Sequence, residues 1–237
     1  MTTTMSSMRI TCRVLLRLSL LLVMLCVVTG CEAIGMMASA LVPPTKPAVY
    51  QIADRPTLVI VDDPNNQLKD PQLALVVAAN CTETFRTEKV IAQVIDTDKL
   101  AALAIELGDR YPKTSPYDIG KRLGAKQVIL VHVFAASMSP EPSMIRPIAE
   151  VGVKLFDVDS KERVFPPSSN ATGTPDRPKT EGFHVTKVSL RVKITDANPG
   201  RVELLARQKL AEEIGTTVAL LFFEHDPTKY DDIRAGN

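Results

Sequence analysis

The chain has 237 residues, of which 45% are apolar, so it can bury a sizeable core and is not broadly disordered. Aromatic residues make up only 5% and tryptophan is absent, which excludes a ring-rich platform for sugars or single strands. With 28 basic against 27 acidic residues, the chain also lacks the basic footprint of a nucleic-acid binder.

The first thirty residues have the layout of a secretory leader. Arg9, Arg13 and Arg17 form a positive start, with no acid before residue 31. An apolar run follows from Leu18 to Val28, broken only by Ser19. It is well short of the ~20 residues needed to span a bilayer as a helix. Thr29 and Gly30 then precede Cys31.

Val28-Thr29-Gly30-Cys31 resembles the lipobox of bacterial lipoproteins. Membership implies a diacylglyceryl group on the Cys31 thiol, cleavage just before it and attachment to an extracytoplasmic membrane surface. Glu32 in place of an aspartate then favours the outer membrane of a diderm cell. The alternatives are an ordinary signal peptide with a chance cysteine and an uncut signal anchor. Removal of the leader leaves 25 basic against 27 acidic residues, a net charge of −2. Cys12 and Cys26 leave with it and Cys31 is acylated. Cys81 is then the lone free thiol, and the mature monomer forms no internal disulfide.

Residues 31–56 read as the lipidated cysteine and a tether, with Pro43, Pro44 and Pro47 favouring a semi-stiff spacer. The domain is expected over 57–226. Thr57-Leu58-Val59-Ile60-Val61 predicts a buried strand ending in a turn at Asp62-Asp63-Pro64. Asp70-Pro71 opens a helix with Leu73, Val76, Val77, Cys81 and Thr84 on one face. Residues 89–95 predict a second strand, and 98–108 a short helix with Leu100, Leu103 and Leu107 inside. Ser115-Pro116 caps a further helix that ends at Gly124 in a left-handed cap.

Residues 127–134 form a continuous apolar run, expected as a central strand buried on both faces. Residues 148–158 alternate, and Asp159-Ser160-Lys161-Glu162 makes a hairpin turn into Arg163-Val164-Phe165. Residues 166–182 are rich in Pro, Ser, Thr and Gly and form the longest loop. Residues 184–194 predict another strand. Asn198-Pro199 starts the longest helix, reaching about Glu224, with a stripe of Val202, Leu205, Ala206, Leu210, Ile214, Val218, Leu221 and Phe222. The tail 227–237 is polar and expected to be loose. The order β-α-β-α-α-β-β-β-β-α predicts a single-domain α/β (α+β) sandwich with a mixed sheet, parallel in its first half and antiparallel in its second.

The short signatures of dinucleotide, phosphate, zinc-protease and serine-hydrolase sites are missing, and no cofactor is expected. Asp62 and Asp63 are the one candidate metal pair. They follow a strand at its carboxyl end, where α/β folds place ligands, and two carboxylates suit a hard cation. The alternative is a solvated turn with Pro64, Asn65 and Asn66. His132 lies inside the apolar strand and reads as a satisfied sheet residue, His184 begins a later strand, and His225 lies at the end of the last helix. Cys81 reads as a small core residue. Gly120 and Gly124 read as close packing and a helix cap.

Ile119 to Ile129, a helix followed by Gly124-Ala125 and a strand, resembles a step in envelope α/β domains. These are the amino-terminal domain of TolB and lipoproteins of the curli-secretion and penicillin-binding-protein-activator type. The paired segments Lys154 to Val158 and Arg163 to Phe165 resemble their hairpin. The resemblance spans about residues 57–165 and implies a noncatalytic docking module. The expected function is thus a membrane-anchored lipoprotein that docks or assembles other envelope proteins, through strand edges and the 166–182 loop. The alternatives are an envelope hydrolase or metal-dependent enzyme using Asp62 and Asp63, and a small-ligand carrier with a pocket under the last helix.

Overall fold

The computed structural model describes residues 45–141, 144–167, 182–193 and 198–230. The leader, Cys31, residues 32–44, most of the 166–182 loop and the last seven residues lie outside them. Among the described residues no helix is long and apolar enough to cross a membrane.

The fold is the mixed α/β architecture that the element pattern predicts. A six-stranded sheet is built from β1 (Thr57–Asp62), β2 (Gln127–Glu141), β3 (Met144–Asp157), β4 (Glu162–Phe165), β5 (His184–Ser189) and β6 (Val192–Lys193). β1 runs parallel to β2, and every other pairing is antiparallel. β3 is the hub. It pairs with β2 along one edge and, along the other, with β4, β5 and β6 in turn.

The parallel β1–β2 pair needs a crossover, and three helices provide it. α1 (Pro71–Thr87) starts at Asp70, whose carboxylate accepts the Gln72 N–H, with Pro71 in its first turn. α2 (Thr97–Leu107) runs into a 3₁₀ segment (Gly108–Lys113). α3 (Pro116–Arg122) is capped by Ser115 and released by Gly124 at φ +76°. α4 (Pro199–Leu220) starts at Asn198, whose side chain accepts from the N–H groups of Gly200 and Arg201.

Period-2 alternation divides the sheet between two cores. Val59, Ile129, Val131, Val133, Val151, Val153 and Leu155 point to one face, where α1 and α4 cover them. Leu58, Ile60 and Val128 point to the other, under α2 and α3. α4 crosses α1 closely. A side chain at Gly215 would place its Cβ 2.5 Å from the Val77 carbonyl oxygen. Leu210, Ile214 and Val218 are fully buried there and form part of the larger core. Cys81 is fully buried in this core, and burial pushes its thiol far above the ordinary range. Gly120 is a packing position as read: its Cβ would lie 2.6 Å from Val128.

Four expectations are corrected. Residues 89–95 do not form a strand. Lys89 ends α1 in the left-handed region and the Ala92 N–H is taken by Asp54, so only Gln93 to Ile95 reach β1, in a single bridge at Thr57. Residues 45–56, read as the end of a tether, belong to the folded body. The N–H groups of Val49 and Tyr50 bond the Leu221 carbonyl, Ile52 is buried, and Gln127 Nε2 donates to the Ala53 carbonyl at 2.7 Å. The start of the tail, residues 227–230, is packed through Tyr230, whose hydroxyl donates to Glu88 at 2.7 Å. Leu205, placed on the buried stripe of α4, is 43% exposed, whereas its neighbour Ala206 is buried as expected.

β2 and β3 also run beyond their apolar cores, as a hairpin in which residues 135–141 pair with 144–150 after a bulge at Val133 and Ala135. The β3–β4 turn is held by Asp157, which accepts from the N–H groups of Asp159 and Ser160 and forms a 2.8 Å ion pair with Arg55. The Ser160 N–H and then the Arg55 guanidinium hold its carboxyl below the ordinary range, against burial. A carboxylate lowered in this way stabilises the fold above its unfolded pKa of about 3.9, and the contribution is lost as pH falls through the folded value. Asp157→Asn is therefore expected to be less stable than the parent at neutral pH, with the gap closing below about pH 4. Urea unfolding of both chains at pH 7 and in acid checks this.

Candidate functional site

β1 ends where the sequence placed its candidate pair. The parallel register sets Asp62 opposite His132. The Asp62 carboxylate accepts from His132 Nδ1 at 2.8 Å, with side-chain exposures of 48% and 20%. Leu58, Ile60 and Asp62 alternate onto the face under α2 and α3, as do Val128, Leu130 and His132. The pair stands where helical cover ends. Tyr111, from the 3₁₀ segment, packs on the edge of that smaller core. Burial first, and then the Asp62 charge, holds its phenol above the ordinary range.

Asp63 serves a different purpose. Its two carboxylate oxygens accept the N–H groups of Gln67 and Leu68, at 2.7 and 2.9 Å. This closes the turn through Asn66, which has positive φ, and seats Leu68 in the larger core. The two adjacent carboxylates thus face different partners, His132 for Asp62 and the loop backbone for Asp63. Among the described residues no group of three His, Cys, Asp or Glu side chains converges on a common point. Asp63→Ala is expected to cost about 2 kcal/mol of stability, because two partly buried N–H groups lose their acceptor. Chemical denaturation compared with an Asp62→Ala control, which leaves that turn intact, measures the difference.

The three histidines stay apart in function. His132 lies against Phe134 and Phe183, with ring centroids 4.8 and 5.5 Å away. His184 packs on Phe165, and burial holds its imidazole below the ordinary value. His225 is beyond the end of α4. It forms an antiparallel bridge with Lys46, and its Nδ1 lies 3.1 Å from the Phe223 carbonyl.

The sequence reading missed the surface around His132. Past the cover of α2 and α3, the same sheet face continues over β2, β3 and β5, and among the described residues no helix covers it. Phe134 and Phe183 meet edge to face at 5.4 Å on it. Gly152 makes this possible, since a Cβ there would lie 2.5 Å from Phe134 and 2.8 Å from Phe183. Ile148 and Val185 are exposed further along, at 36% and 37%. The sequence signal was the polar side of β3, with Glu150, Gly152 and Lys154 at alternating positions. It marks an open face but does not say which distant rings lie on it.

By sequence the chain matches no family model and no curated protein. Solved structures to which it is similar include the lipoprotein GNA1162 from Neisseria meningitidis, at 13% identity and a TM-score of 0.39. That alignment covers 64% of this chain and 92% of the other. The PelC dodecamer from Paraburkholderia phytofirmans is also similar, at 10% identity and a TM-score of 0.41, covering 77% of this chain and 98% of that one.

Proposed function

We propose that the chain is a lipid-anchored protein of a bacterial cell envelope whose folded body docks another envelope protein and catalyses no reaction. The anchor rests on the arginine-led apolar leader and on Val28-Thr29-Gly30-Cys31. The observation that carries the docking reading is the half-covered sheet. α1 and α4 close one face, whereas among the described residues the other is uncovered beyond Asp62 and His132, with Ile148, Val185 and Phe183 on it. β5 pairs only with β3 among the described strands, so its outer edge can accept an extended partner segment. The expected partner is an envelope protein that adds a strand along β5 and covers Ile148 and Val185.

In-cell crosslinking with the full chain as bait tests this. One envelope protein should be recovered repeatedly, and an Ile148→Asp, Val185→Asp variant with unchanged thermal unfolding should lose it. Recovery of the same protein by parent and variant alike would sink the surface assignment, and no reproducible partner would sink the docking reading.

A further inference from the structure

The open face carries a second feature, at the end nearest the β3–β4 turn. Arg163 on β4 lies opposite Phe156, two residues along from Lys154 on β3, so the two cations share that face as diagonal neighbours. Both side chains are half-buried. Lys154 Nζ sits 3.6 Å from the centroid of the Phe183 ring. Arg163 Nη1 donates to the Gly182 carbonyl at 3.0 Å, and its Nε is buried without a hydrogen-bond partner.

Some cations of the body pair with carboxylates, among them Arg55 with Asp157, Lys126 with Asp159 and Arg122 with Glu106. Among the described residues Lys154 and Arg163 have none. Burial and the Arg163 charge hold the Lys154 ammonium below its ordinary value, the expected effect of a neighbouring like charge without an acid between them. Asp62, a carboxylate on the same face, is already bonded to His132.

Two cations held together with no counter-charge among the described residues, beside a ring platform of Phe134 and Phe183, match a ligand with a doubly charged head and a weakly polar body. We infer that this face binds a phosphate-bearing ligand, with its phosphate between Lys154 and Arg163 and its organic part against Phe134 and Phe183. A guanidinium and an ammonium together offer several donors to a tetrahedral dianion. The rings would favour an ester over the free ion. Both a soluble phosphate ester and a lipid headgroup carry this chemistry. The site does not depend on protein docking at Ile148 and Val185.

Calorimetric titration of the full chain in nonionic micelles tests the inference with three probes: inorganic phosphate, phenyl phosphate and dihexanoyl phosphatidic acid. Phenyl phosphate is expected to bind roughly tenfold more tightly than inorganic phosphate, through the added ring contact. Lys154→Met and Arg163→Met should each weaken it by about tenfold or more, and Lys154→Arg should restore most of the loss. Lys99→Met, on the far helix α2, should bind as the parent does. Tightest binding of phosphatidic acid supports a lipid headgroup, and tightest binding of phenyl phosphate supports a soluble ester. No saturable binding of any probe at millimolar concentration overturns the inference, as does parental affinity in both methionine variants. If Arg163→Met unfolds, Arg163→Lys keeps the charge and should retain affinity.

Discussion

A Cys31→Ser chain is expected to incorporate no fatty acid and to keep its thirty-residue leader, whereas the parent takes up label and loses the leader. The lipobox reading makes the thiol the acceptor of the diacylglyceryl group and makes that transfer the condition for cleavage. A hydroxyl is a far weaker nucleophile than a thiolate at neutral pH, so one atom separates the two outcomes. Each buried methylene of an acyl chain contributes ~0.8 kcal/mol to membrane attachment, so two or three chains hold a protein where one gives only marginal binding. Labelling of cells with a tagged palmitate, followed by mass measurement of the purified chain, reads both effects. Normal cleavage of the serine variant would instead identify an ordinary signal peptide, and a parent chain that keeps its leader would identify an uncut anchor.

Phe222→Ala is expected to destabilise the folded body by about 4 kcal/mol, a large share of the ~5–15 kcal/mol that separates folded from unfolded domains. Phe222 is fully buried where three parts of the chain meet. Its ring lies 6.2 Å from Phe85 on α1 and 5.8 Å from Phe165 on β4, and its carbonyl accepts the Ile52 N–H. Truncation removes both ring contacts and leaves a cavity that the rigid α1–α4 crossing cannot collapse to fill. The N-terminal strap should loosen as well, since Tyr50 packs on Phe165 at 5.3 Å. Denaturant unfolding gives the loss, and hydrogen exchange at Val49, Tyr50 and Ile52 shows whether the strap detaches first. A loss under 1 kcal/mol would show that this junction does not hold the body together.

These two experiments probe different levels of information. The lipobox reading rests on a contiguous pattern of charge, apolar run and small residues, which is legible without folding. Helix starts are local for the same reason. Asp70, Ser115 and Asn198 each precede a proline and accept N–H groups two or three residues on, and each was read at its position. The strand at 127–134 was equally visible, because burial on both faces demands an unbroken apolar run. Its extension through residues 135–141 was not. Ala, Ser and Pro are weak strand formers, and only pairing with β3 holds them extended.

The candidate site was legible in part. Adjacency in sequence made Asp62 and Asp63 look like one unit, but successive strand residues point to opposite sides, and Asp63 turns to its own loop. Sequence order could not show that His132, seventy residues later, would stand beside Asp62, because register in a parallel pair is set by the crossover packing of α1 to α3.

The sequence by itself determined the aliphatic composition of the core, the α/β class and the capped ends of the helices, and it alone carries the lipobox reading of Cys31. All of these follow from neighbours along the chain or from alternation within one element. Tertiary structure alone decided that residues 45–56 strap the body, that Asp62 meets His132, and that Lys154 and Arg163 share a sheet face with Phe134 and Phe183. Those features depend on which strands pair and where the helices run out, and only packing across the whole sheet sets that.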